Sequence, residues 1–352
     1  MSLLSSITRL AKHGLPRCRP DVPMLVIFHI TTRCNMECRH CGDDVWGDPE
    51  NDLSFDDIVK ISANMGRIEC LAIGGGEPFL RKDIVDICQV FAKKNHVTSI
   101  SIPSNGLLTD VILDNVSSIL NFCPDVKLYI ALSLDGFEET HDSIRTQGSF
   151  ARVIETGRQI HALRRKSPNL FLSFCATINN INYNELKPLS KYVRHEFNSN
   201  LDFNILTGVA RDQKLKVPET SQLSKTIDDL LEHDRASAVG RLYSKLYRDV
   251  LIESNSTEKQ VIPCRAGSLA CLIDANGDLR MCPNLPVLGN LKNKSFQEIW
   301  ESEQAERQFK SIIQGKCSCN NDCFIGLSLA NYWGTPFMML KNLIRVGNGR
   351  SG

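Results

Sequence analysis

The chain has 352 residues, 42% of them hydrophobic but only 7% aromatic, and its 41 Lys and Arg nearly balance 40 Asp and Glu for a net charge of +1. That length supports one large core plus a smaller second unit, and the charge balance excludes the basic excess of a nucleic-acid-binding surface. No stretch approaches the roughly 20 uninterrupted apolar residues of a spanning helix, so no transmembrane segment is expected.

Residues 1–23 read as a lead segment in which Leu3, Leu4, Ile7 and Leu10 form a short amphipathic helix, packed on the fold or lying on a membrane surface. Its apolar run is too short and broken for a secretion signal. A cytoplasmic, reducing location follows, where fourteen cysteines read as metal ligands or core residues rather than disulfides.

Apolar runs at 25–31, 70–74, 97–103, 127–134, 170–177 and 201–206 read as strands. Between them, 54–65 (Ser54 as N-cap), 82–94, 109–121, 149–165 and 184–197 read as amphipathic helices. This alternation means parallel strands joined by crossover helices. Six units make an open α/β fold, a partial (β/α)6 TIM barrel rather than the full eight. A long helix at 221–253, a polar linker at 254–260 and a helix at 295–308 follow. The domain division is then a barrel with trailing helices at 24–253, a Cys-rich unit at 254–331 and an apolar, basic tail at 332–352.

The polar signals share one address, the carboxyl ends of the strands, where ligands sit in parallel α/β folds. Cys34, Cys38 and Cys41, spaced C-x3-C-x2-C, follow strand one. Gly74, Gly75, Gly76, Glu77 and Pro78 end strand two, Asn105 and Gly106 end strand three, Ser133 and Asp135 end strand four, and Thr177 and Asn179 end strand five. Three thiolates can hold three corners of a [4Fe-4S] cluster and leave one iron open for chemistry. Their spacing is neither a ferredoxin pattern nor the paired C-x2-C of structural zinc.

A second cysteine group comprises Cys264, Cys271, Cys282, Cys317, Cys319 and Cys323. The segment from Ile273 through Asn276 and Gly277 to Cys282 reads as a hairpin with an Asn-Gly turn, bringing Cys264 and Cys282 to a common end. Cys271 reads as core, as do the scattered Cys70, Cys88, Cys123 and Cys175. A structural zinc held by four thiolates is the alternative for the ligating cysteines.

The Cys34–Cys41 loop, Gly75-Gly76-Glu77-Pro78 and the Ser133-x-Asp135-Gly136 segment running on to Arg145 together resemble the radical S-adenosylmethionine (SAM) enzymes. The resemblance implies a cluster at Cys34, Cys38 and Cys41 whose open iron is chelated by SAM. Reductive cleavage would then yield a 5′-deoxyadenosyl radical that abstracts a substrate hydrogen. It also implies SAM contacts from Gly75, Gly76 and Glu77. Ser133, Asp135 and Asn105 become candidates for the ribose, methionyl or adenine parts, with Arg145 pairing with the carboxylate, as a planar guanidinium suits.

The second cysteine group resembles the SPASM/twitch extensions, which bind auxiliary [4Fe-4S] clusters. It lacks their C-x2-C-x5-C-x3-C run, so one auxiliary cluster is expected, held by Cys264 and Cys282 with Cys319 and Cys323, Cys317 competing. The expected reaction is oxidation or rearrangement of a small molecule such as a sugar, with flavodoxin or ferredoxin as electron donor. Only 33 residues precede Cys34, too few for the peptide-recognition domain of peptide-modifying relatives. A peptide substrate and maturase role is the alternative. A non-catalytic electron carrier and a zinc-stabilised binding protein are the rivals from other classes.

Overall fold

The computed structural model describes residues 19–42, 48–232, 237–257, 259–317 and 321–340. The amphipathic lead helix, Cys18, Cys319 and the tail beyond residue 340 lie outside them.

Six parallel strands follow in order: β1 (Leu25–Thr31), β2 (Cys70–Gly75), β3 (Ser99–Ser104), β4 (Lys127–Ser133), β5 (Leu170–Ile178) and β6 (Leu201–Ile205). The crossovers are α1 (Phe55–Ala63), α2 (Ile84–Lys94), α3 (Thr109–Phe122), α4 (Glu138–Ile144) with α5 (Ser149–Arg164), and α6 (Leu186–Phe197). This is the open (β/α)6 partial barrel expected. Alternate strand residues such as Val26, Phe28 and Ile30 are buried beneath the helices, and the residues between them line the concave face. Ser54 caps α1 as expected, in a reciprocal capping box with Asp57.

The remaining elements are α7 (Thr220–Leu231), α8 (Ala238–Ser256), β7 (Ala270–Ile273), β8 (Asp278–Arg280), β9 (Gly289–Asn290), α9 (Phe296–Trp300), α10 (Glu303–Ile313) and α11 (Asp322–Ala330). The long helix expected at 221–253 is two helices, α7 and α8. The helix expected at 295–308 is also two, because Ser295 and Ser302 each accept a backbone N–H at a new N-cap. The sequence reading missed α4 and α11.

The hairpin forms at Asn276-Gly277, with Gly277 at φ +94°. It is not a detached unit. β7 pairs in parallel with β1, so the sheet runs β6-β5-β4-β3-β2-β1-β7-β8-β9 over one continuous hydrophobic core. Cys88, Cys123 and Cys271 are buried as expected. Cys70 and Cys175 are only half-buried, because their strand positions alternate onto the concave face. No described helix is long and apolar enough to cross a membrane.

Candidate active site

The Cys34–Cys41 loop leaves β1 and is tied to its neighbours by backbone hydrogen bonds. The Arg39 N–H donates to the Ile144 carbonyl at 2.9 Å, and the Arg211 and Asp212 N–H groups donate to the Cys41 and Arg39 carbonyls at 2.8 and 2.9 Å. An Arg39–Asp212 ion pair at 2.7 Å reinforces the last link. Asp52, which the sequence reading did not single out, accepts from the Thr31 and Thr32 hydroxyls and holds the end of β1. Ligand atoms of Cys38, His40 and Cys41 lie within 4.8 Å of one another.

Arg145 lies beneath this loop, its side chain only 8% exposed. Its Nη1 donates to Cys38 Sγ at 3.7 Å and its Nε to Asp135 Oδ2 at 2.6 Å. Burial opposes the guanidinium charge, but Asp135 and Cys38 hold it ionised. The Cys38 thiol is pushed down to about 7, first by the Cys41 thiol hydrogen bond and, against burial, by Arg145. Cys41 moves up for the reciprocal reason, its hydrogen bond with Cys38. Cys34 is raised by burial. A thiolate-favouring cation set against the buried Cys38, with Cys34 and Cys41 half-buried beside it, fits a metal-ligating loop.

Asp135 is fully buried, and both its carboxylate oxygens bond inside the protein. Oδ2 takes Arg145, and Oδ1 accepts the Thr177 N–H at 2.7 Å. Burial alone would raise its pKa, yet Arg145 above all and then His40 and His141 hold it below the usual carboxylate range. These two bonds use one lone pair on each oxygen and fix the carboxylate at the carboxyl end of β4. Arg145 likewise has its carboxylate partner within the fold.

His40 and His141 were also missed. Burial, aided by Arg145, pushes each down to about 4 against the pull of Asp135. His40 Nδ1 is buried without a hydrogen-bond partner, 3.8 Å from Asp135. Its position between Cys38 and Cys41 was the available signal.

Gly75 sits at φ +116°, and a Cβ there would lie 2.2 Å from the Thr31 carbonyl oxygen. The Gly76 N–H donates to that same oxygen at 2.9 Å, which locks the glycine loop against the start of the cysteine loop. Glu77 also ties the loop from within. It is buried and accepts from the Phe79 and Asn105 N–H groups and the Ser104 hydroxyl, and burial raises its pKa despite them. Asn105 is also buried, its amide donating to Asn35 Oδ1 at 2.7 Å. Ser133 remains half-buried at the concave end of β4. Gly75→Ala should cost about 1–3 kcal/mol for the backbone alone, plus the clash. Gly208→Ala, at φ +70° in open space, should cost less. Urea midpoints of the two variants check the order.

A profile of the Radical SAM superfamily matches residues 28–193, and one of an iron-sulfur cluster-binding domain, SPASM, matches residues 264–324. The chain carries a Radical SAM domain followed by a SPASM domain. It is similar to an AdoMet-dependent heme synthase of Methanosarcina barkeri, 24% identical over 328 residues, spanning 84% of this chain and 88% of that one. It is also 24% identical over 339 residues to the mycofactocin maturase MftC of Mycobacterium ulcerans, covering 92% and 86% of the two chains. Its fold is that of native anSMEcpe with bound AdoMet, at a TM-score of 0.61, 17% identity and coverage of 93% and 100%.

In this radical SAM chain the SPASM region gathers Cys264, Cys282 and Cys317 around a cavity of about 130 Å³. Gln260 bridges two of them: its Nε2 donates to Cys317 Sγ at 3.2 Å, and its Oε1 accepts the Cys264 N–H at 3.3 Å. The Ala266 N–H donates to Cys264 Sγ at 3.4 Å. N–H groups aimed at sulfur suit thiolate ligands of an iron-sulfur cluster. Cys323 is exposed in the first turn of α11, and no disulfide joins the described cysteines.

Proposed function

We propose that Cys34, Cys38 and Cys41 hold the SAM-binding [4Fe-4S] cluster of this radical SAM enzyme, and that Cys264, Cys282 and Cys317, with Cys319 or Cys323 as the fourth ligand, hold an auxiliary one. The single observation that carries the reading is Arg145, a buried cation against Cys38 in a loop tied by backbone hydrogen bonds to the end of α4 and to the loop after β6. With cluster and SAM bound, the site supplies reductive SAM cleavage and hydrogen abstraction from a substrate. The protein's part is to orient the thiolates, with the Gly75-Gly76 backbone and Ser133 as candidate SAM contacts. The division into a barrel at 24–253 and a Cys-rich unit at 254–331 belongs to this reading.

For the substrate we favour a polar small molecule, oxidised or rearranged with help from the auxiliary cluster. Ser101, Ser133, Ser173 and Thr177 alternate onto the concave face, which suits hydroxyl-rich ligands. A peptide is the second reading, favoured by the similarity to a mycofactocin maturase. The electron donor in either case would be a flavodoxin or ferredoxin, and the location the cytoplasm.

Anaerobic purification should yield about eight irons per chain and 5′-deoxyadenosine release that depends on reductant. Colourless, zinc-loaded protein after reconstitution would sink the reading. Deuterium transfer into 5′-deoxyadenosine from labelled polyols or from labelled peptides separates the two substrate classes. Gln260→Leu removes an N–H···S bond and should shift the auxiliary cluster to a lower reduction potential, read by an EPR-monitored redox titration, without changing the SAM-binding cluster.

A further inference from the structure

A cavity of about 340 Å³ lies on the helix-covered side of β6, between α6, α7, α8 and α11. Its size falls within the range of small-ligand sites, about 300–1,000 Å³. It opens against the amino-terminal half of β6, whereas the cysteine loop lies beyond the carboxyl ends of the strands. Leu201, Asp202 and Phe203 line it, Asp202 from a strand position that alternates with the other two.

The helices line this cavity with polar side chains: Ser190 and Arg194 from α6, and Tyr243 and Ser244 from α8. The Arg194 Nε is shut off from solvent and has no hydrogen-bond acceptor. Ser190 and Ser244, 2% and 5% exposed, line the same cavity. Burial pushes the Tyr243 hydroxyl up to about 12, so it stays a neutral donor. Buried polar groups in native proteins are nearly always bonded, so the unpaired Arg194 Nε beside these hydroxyls calls for a partner from outside the chain. A guanidinium with three hydroxyl donors matches a carboxylate. The remaining wall, Phe203, Leu230 and Tyr247, matches an apolar body.

We propose that this cavity binds a small carboxylate with an aliphatic or aromatic body, at a site separate from the radical SAM centre. Arg194 takes the carboxylate and the Phe203–Tyr247 side takes the body. Gly326 of α11 leaves room on that side, since a Cβ there would meet the Tyr247 ring at an ordinary 3.6 Å and a longer side chain would extend into the cavity.

The test titrates 4-fluorophenylacetate and 6-fluorohexanoate, each against its neutral amide, into anaerobically purified holoenzyme by fluorine NMR. At least one acid should bind saturably and about tenfold or more tighter than its amide, as a charge-assisted hydrogen bond provides. Arg194→Met should remove that preference, Arg194→Lys should keep part of it, and Gly326→Leu should abolish binding. Iron content and 5′-deoxyadenosine release should stay at wild-type levels in all three. Absence of saturable binding by both acids, equal binding of acid and amide, or undiminished binding by Arg194→Met and Gly326→Leu overturns the proposal.

Discussion

Changing Cys38 to alanine is expected to abolish SAM cleavage, with 5′-deoxyadenosine falling to the level of enzyme-free solution and the iron content dropping by about half. Cys38 is the thiol that Arg145 meets at 3.7 Å, and the one whose pKa is pushed down rather than up. Removing it takes away a ligand while leaving the Arg145–Asp135 pair and the loop's backbone ties in place, so the chain should still fold. Cys88→Ala is the matched control. That thiol is buried in the apolar core, where burial raises its pKa. It should lose stability through a small cavity and keep both iron and activity. A Cys38→Ala protein that still cleaves SAM would remove the basis for the assignment.

Asp135→Ala should destabilise the fold by about 3–5 kcal/mol, the cost of leaving the Arg145 charge buried without its partner. The Thr177 N–H also loses its acceptor. The double variant Asp135→Ala with Arg145→Met removes both charges and should recover most of that stability, because a buried ion pair is often no better than apolar packing of similar volume. It should not recover SAM cleavage, since Cys38 then lacks its cation. Urea unfolding with a 5′-deoxyadenosine assay on the same three proteins separates the structural cost from the chemical one. Equal stability of the single and double variants would show that the charges are not coupled.

Much of the architecture was legible because it rests on short-range pattern. The six strands and five of the crossover helices follow from apolar periodicity, and the start of α1 from Ser54 and Asp57. The helix boundaries were less legible where a cap inside a periodic run restarts the helix, as at Ser302. α4 was hidden in a motif segment too short for a periodic signal.

At the candidate site, spacing alone brought Cys34, Cys38 and Cys41 forward, and Gly75 and Gly76 with them. It did not reveal the internal bonds of Asp135, Glu77 and Asn105. All three sit in loops next to ligand-like positions, and each also bonds a group 28 to 70 residues away in the chain.

The sequence by itself therefore determined the order and type of the β/α units, the three-thiol spacing and the glycine loop, because each depends on residues within a few turns or strand pairs of one another. Only the tertiary structure decided that β7 docks on β1, that Arg145 turns inward to Asp135 and Cys38, and that Gln260 joins Cys264 to Cys317. Those outcomes depend on which polar groups lose water together when distant loops meet, and no local pattern encodes that pairing.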